Sequence, residues 1–213
     1  MRSPIVEIAI GTVGSEVVLT AHQGLLVRSP YFADAVSKFN GEEPIRRVDM
    51  PEEGLDAMGC FLQYLYTGEY YPKRLPGNRL EVGGSDDGDQ LLKHARVYTL
   101  AEKLGVVELK DLALSKVHLV QSTAKGEIEY ARYVYAETAK TDTTIRRPIA
   151  SFWGQRSHVL RHEAEAEFKG LCIEFPEFAF DVLTHVLDSR ERKGEKKGEE
   201  EVTKSGRKRA RAI

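Results

Sequence analysis

Two strings constrain this chain more than anything else in it: AHQGLLVRSPYF, from Ala21 to Phe32, and LQYLYTGEYYP, from Leu62 to Pro72. The first runs from the polar pair His22 and Gln23 through apolar Leu25, Leu26 and Val27 to Ser29-Pro30. Serine there caps a helix, and proline suits its first position because the missing N–H would have no partner. The spacing predicts two short helices, about His22 to Val27 and Pro30 to Ser37, joined at a tight corner. The second string closes a run in which Leu55, Met58, Phe61, Leu62 and Leu65 recur at helical steps, with Thr67-Gly68 as the stop. Buried helices that break sharply suit a small packed interaction domain better than a ligand-binding sheet.

The flanking segments fill in an α+β domain. Val6, Ile8 and Ile10 alternate with Glu7 and Ala9, and Val17 and Leu19 continue after the turn residues Gly11 and Gly14-Ser15, which is a hairpin pattern. A polar loop, FNGEEP, leads to a short strand over Ile45 to Met50, and Pro51-Glu52-Glu53 opens the next helix with acids at its positive end. From Tyr71 to Gly88 there is no periodicity, and Pro72, Pro76, Gly77, Gly83 and Gly84 predict a mobile surface insertion.

Helical spacing returns over Asp89 to Leu104, stopped by Gly105, and over Val107 to Val120. Further helices are expected at Ile128 to Thr138, Pro148 to Phe168 and Pro176 to Leu187. Tyr130, Tyr133 and Val134 mark the first of these, Ile149, Phe152, Trp153 and Leu160 the second, and Phe178, Phe180, Val182, Leu183 and Val186 the third. That is enough apolar surface to pack back on the core. From about Ser189 large apolar residues almost vanish, so the tail is expected to be disordered. The predicted organisation is a domain over 1–123, a helical extension over 124–187 and a disordered basic tail over 188–213.

Charge divides the same way. The net charge is −2, yet from Asp188 onward ten Lys or Arg face six Asp or Glu, so the body is acidic and the tail basic. An acidic body without a basic stripe gives little attraction for phosphate backbones, which argues against direct nucleic-acid binding by the core. Hydrophobic residues make up 41% of the chain but form no run of membrane-spanning length, and MRSPIVEIAIG turns into a strand pattern too soon for a signal peptide. Cys60 and Cys172 sit in apolar strings and read as small buried hydrophobes rather than a disulfide. The expectation is a cytoplasmic or nuclear protein with no membrane partner.

No catalytic set emerges. His158 and His162 are four apart on an expected helix, with Glu163 beside them, but residue 159 is valine, so the zinc-protease string is missing and solvated histidines are the better reading. Neither His94 nor His118 has a nucleophile in a suitable turn nearby, Gly11-Thr12-Val13-Gly14 is too short for a phosphate loop, and Asp86-Asp87 suits a solvated loop or helix cap. No cofactor, metal or small-molecule substrate is expected.

Taken in order, a first strand, His22 with Leu26, Ser29-Pro30-Tyr31-Phe32, Glu42, the stretch Ile45 to Met50 and Leu65-Tyr66-Thr67-Gly68 resemble the BTB/POZ family over roughly Ile5 to Val120. LLKHARVYTLAEKLGVVELKDLAL resembles the helical pair that closes its core. The resemblance implies a BTB/POZ fold, a small three-stranded sheet with helical hairpins, plus a C-terminal helical extension. The chain also resembles short BTB-only proteins of fungal type. It implies a non-enzymatic scaffold or adaptor whose partners are proteins, a cullin or another BTB protein, with His22 as the family's structural histidine.

Cullin-binding members often carry a hydrophobic-x-Glu signature before the third strand. Here Phe39-Asn40-Gly41-Glu42 is one residue longer, which makes Phe39 and Glu42 the candidate partner-binding residues. Many dimeric members pair an aspartate on the first strand with a cation after the histidine; Ile5 (or Pro4) and Gln23 stand there instead. Only four residues precede the first strand, so the dimer that exchanges a leading helix is not expected. Finally, Arg207, Lys208, Arg209 and Arg211, with Lys196-Lys197 upstream, resemble a nuclear import signal, which would suit a nuclear co-regulator of transcription. Glu199 to Glu201 support the plainer reading of a mixed-charge solubilising tail.

Overall fold

The computed structural model describes residues 3–12, 14–39, 45–71 and 86–209, with backbone alone at 86–87, 157–161 and 193–209. It divides into two compact units, Met1–Tyr133 and Val134–Ile213.

In the first unit, β1 (Ile5–Ile10) pairs antiparallel with β2 (Val17–His22) and parallel with β3 (Arg47–Met50), giving a three-stranded sheet of order β2-β1-β3. The alternation in β1 sets its faces. Val6, Ile8 and Ile10 are all buried, and Ile8 and Ile10 stand beside Val48 and Met50 on β3. The third strand starts at Arg47, later than expected, and leaves Ile45 58% exposed. Because β3 runs parallel to β1, the chain must cross over between β2 and β3. That crossover is α1 (Gln23–Leu26) and α2 (Pro30–Ser37). His22 ends β2 rather than opening a helix.

Helix α3 (Leu55–Thr67) begins after Gly54, so Pro51-Glu52-Glu53 forms the preceding turn instead of the helix's first residues. Its buried side chains, Ala57, Met58, Phe61 and Leu65 among them, follow the helical period, and Phe61 stacks on Phe32 of α2 with ring centroids 5.7 Å apart. Helix α4 (Asp86–Leu104) reaches back to Asp86, before the expected start. Gly105, at φ +71°, turns the chain into α5 (Val107–Val117), and a Cβ there would lie 3.0 Å from Pro30 Cγ. Helix α6 (Ala124–Glu137) starts earlier than its periodicity suggested and crosses α4 so closely that a Cβ on Gly126 would come 2.6 Å from Gly88 Cα.

The second unit is helical. Helix α7 (Thr143–Glu163) takes in Pro148 as an internal residue, at the loss of one backbone hydrogen bond, instead of starting there. Ala164 then breaks the expected single helix, with φ −145°, before α8 (Glu165–Glu174). Trp153, Phe168 and Phe178 form the aromatic centre, at centroid distances of 5.1 to 6.0 Å. On α9 (Pro176–Arg209), Phe178 and Val182 are buried, whereas Phe180 and Leu183, read as core from sequence, are 68% and 55% exposed.

Helix α9 also runs to Arg209, through the segment expected to be disordered. Scarcity of apolar residues argues against burial, not against helix. Glu, Lys and Arg, frequent in this segment, are good helix formers.

Candidate functional site

The motif residues are joints between elements. The Tyr66 hydroxyl accepts the His22 backbone N–H at 3.1 Å and lies 2.6 Å from His22 Nδ1. His22 thus ties the end of β2 to the end of α3 and carries no nucleophile with it. Ser29, fully buried, accepts the Phe32 N–H at 3.4 Å as the cap of α2 and donates to the Leu104 carbonyl at 2.7 Å, which fastens the corner to the end of α4. Pro30 follows as the first helical residue, Tyr31 is half-buried, and Leu26, Phe32 and Leu65 are core.

At the end of α3, Gly68 adopts φ +74° and its N–H bonds the Tyr64 carbonyl at 2.8 Å. Thr67 Oγ1 lies 2.8 Å from the Gln63 carbonyl and 2.7 Å from that of Glu69, and it accepts the Glu69 N–H. This is the left-handed stop that only glycine takes without strain.

Beyond it lies a cluster that the sequence reading did not single out. Lys116 on α5 donates to the Tyr70 carbonyl at 2.7 Å, pairs with Glu69 at 2.6 Å and sits over the rings of Tyr70 and Tyr71. The buried Tyr70 hydroxyl is 2.7 Å from His94 Nδ1. Burial, and then the Lys116 ammonium, push the imidazole down to about 4. Burial pushes the Tyr70 phenol up, and the lysine holds the Glu69 carboxyl below its usual range. Burial also raises the Cys60 thiol to about 11, with Asp56 adding to it, so this cysteine is no activated nucleophile. Burial thus favours the uncharged forms of the imidazole, the phenol and the thiol, as suits packed side chains. A tyrosine and a histidine separated by an insertion gave no local signal of their pairing.

Of the candidate partner-binding residues, Phe39 follows the end of α2, is half-buried, and donates its N–H to the Val36 carbonyl at 3.2 Å. Glu42, most of the expected insertion and Arg211 lie outside the described residues, as do the side chains of Asp86, Asp87, His158, Arg207, Lys208 and Arg209. Of the positions read against the charged pair of dimeric members, Ile5 (or Pro4) and Gln23, Ile5 is 49% exposed opposite His22, and the Gln23 side-chain carbonyl accepts from Arg46. Cys60 and Cys172 are free thiols, the first buried and the second half-buried. Among the described residues, no three His, Cys, Asp or Glu side chains converge as a metal site would require, and no helix is long and apolar enough to cross a membrane.

The signature residues thus serve as internal ties of a small mixed domain, a three-stranded sheet with helices. The family comparison agrees: the BTB/POZ domain model matches residues 8–113, and through that domain the chain belongs to the BTB/POZ family. No curated protein matches the chain.

Proposed function

We propose that this chain is a non-enzymatic adaptor that brings a protein partner to a cullin-based ubiquitin ligase, with Phe39 as its anchor. The observation that carries the reading is the place of Phe39, just past the end of α2 in a BTB/POZ domain and only half-buried. An aromatic ring in that position offers apolar area at small entropic cost, as interface anchors do. Glu42, three residues on, would set the orientation. The test is affinity purification from the native cell with the intact chain and with Phe39→Ala, reading cullin recovery by mass spectrometry. A cullin recovered with the intact chain and lost with the variant supports the adaptor reading. A cullin absent from both removes it, and a cullin recovered equally with both rejects Phe39 as the anchor.

A second reading is a nuclear co-regulator imported through Arg207, Lys208, Arg209 and Arg211, favoured by that cation run at the end of the chain. An import receptor takes an extended peptide, so the last turn of α9 would have to unwind to be read. Replacing the run with alanine should shift a fluorescent fusion from nucleus to cytoplasm. An unchanged distribution rejects import by this route.

A further inference from the structure

The C-terminal unit carries a basic groove between the start of α7 and α9. Its larger lobe, about 520 Å³, is lined by Thr143, Thr144, Arg147, Ser151, His185 and Arg192, with Pro148 between them and no carboxylate. A smaller recess of about 300 Å³ shares Arg147, His185 and Arg192 and reaches Asp181 and Asp188. The two helices meet through His185: a Cβ on Gly154 would fall 2.8 Å from its ring.

What sets the groove apart is how its cations are used. Lys140, at the rim, is paired with Glu177. Buried Arg146 is committed to the Tyr135 and Thr138 carbonyls. Asp181 accepts the Tyr135 hydroxyl at 2.7 Å. Among the described residues Arg147 makes no hydrogen bond or ion pair and Arg192 uses only its Nε, on the Asp188 carbonyl at 3.1 Å, so both guanidinium groups keep donors that no described residue takes. Asp142 accepts the Thr144 N–H at 3.2 Å, so α7 already has its own cap and the groove's character comes from side chains.

We propose that this groove docks a phosphorylated side chain of a protein partner. Two unclaimed guanidinium forks with three hydroxyls nearby offer more donors than the two oxygens of a carboxylate can take. A phosphate monoester has three terminal oxygens and nearly two negative charges, and it accepts guanidinium pairs in a bidentate way. Asp181 and Asp188 at the far end oppose a continuous polyanion or an anionic bilayer, and so favour a single phosphate on a peptide.

The test is an NMR titration of the full-length protein with a short glycine-alanine peptide bearing one phosphoserine, carried to millimolar concentration. The same titration is run with its unphosphorylated twin, with inorganic phosphate and with phosphatidylserine vesicles. The expected result is that the phosphopeptide shifts the amides of residues 143–151 and 185–192, and that Arg147→Gln and Arg192→Gln each weaken binding about tenfold. Arg190→Gln, also on α9 but outside the groove, leaves binding unchanged. The proposal is overturned if those amides do not respond, if the unphosphorylated peptide binds as well, if all three variants lose affinity alike, or if vesicles or inorganic phosphate bind more tightly than the phosphopeptide.

Discussion

Ser29→Ala tests the central claim about the joints, that one buried hydroxyl holds two helices. In the native domain Ser29 Oγ accepts the Phe32 N–H at 3.4 Å and donates to the Leu104 carbonyl at 2.7 Å. The first bond is long, and losing a cap of that kind costs about 0.5 kcal/mol, at the low end of the usual range. The second leaves the carbonyl of the last residue of α4 without a donor, at about 1.5 kcal/mol. The sum, about 2 kcal/mol, against a urea dependence of about 2 kcal/mol per molar, lowers the unfolding midpoint by about 1 M. Far-UV circular dichroism follows the whole chain, and the fluorescence of Trp153, its single tryptophan, reads the C-terminal unit separately. Ser29→Asp separates the two roles. Aspartate caps as well as serine but cannot donate to Leu104, and it would place a charge against a carbonyl in a site with no solvent access. It should therefore be less stable than Ser29→Ala. An aspartate variant more stable than the alanine one, or an alanine variant within about 0.5 kcal/mol of the native protein, would show that the tie to Leu104 contributes little.

Three further outcomes follow from the same structure. The His94 imidazole is held at about 4 against an ordinary 6.5, so the unfolded chain takes up the proton first; stability is full above pH 6.5, falls by up to about 3 kcal/mol between 6.5 and 4, and levels off below. Urea midpoints across that range should show His94→Gln with a flatter slope, and an unchanged slope would assign the effect elsewhere. Lys116→Met removes the cation that helps hold the imidazole down, so NMR titration should find His94 above 4; a value at or below 4 counts against the cluster as described. Gly126→Ala drives a methyl against the α4 backbone and should lower the melting temperature by about 5 °C, whereas Gly59→Ala, with nothing within 4 Å, should be neutral or slightly stabilising; equal effects would refute the crossing.

Much of the first unit was legible because its signals are local. The alternation in β1, the Ser29-Pro30 corner and the Thr67-Gly68 stop each need only a few neighbouring residues to be recognised. What escaped depends on residues far apart in the chain. Glu53 looks like a first-turn helix acid, yet it sits in the turn before α3 and binds Lys103 at 2.5 Å. Tyr70 and His94 come together across the insertion. On α9, Phe180 and Leu183 were counted as core because apolar residues were dense there, but one helix face packs and the other does not, and the side chosen depends on α7 and α8. The tail shows a different limit, since low hydrophobicity rules out burial and leaves helix propensity undecided.

The joints also explain why family membership stops short of naming a partner. His22, Ser29, Thr67 and Gly68 spend their polar atoms on the chain itself, so they preserve the fold whatever binds to it. Choice of partner is left to positions that no joint constrains, and two of these show how a change in one residue is accommodated by another. Gln23, read from the sequence against the cation of many dimeric members, accepts from Arg46 through its side-chain carbonyl. A lysine or arginine at 23 would face that guanidinium as a like charge, so Arg46 and a neutral residue at 23 are a consistent pair. Ile5, which with Pro4 is one of the two positions read against the aspartate, leaves an apolar side chain open to solvent beside His22. Restoring both charges together would therefore not recreate a charged pocket while Arg46 remains, because the new cation would have a competitor for the new carboxylate. Ile5→Asp with Gln23→Lys should stay as the native protein is in sedimentation velocity, and only the further change Arg46→Ala should allow self-association through that pocket. Association of the double variant would show that Arg46 does not compete for the carboxylate.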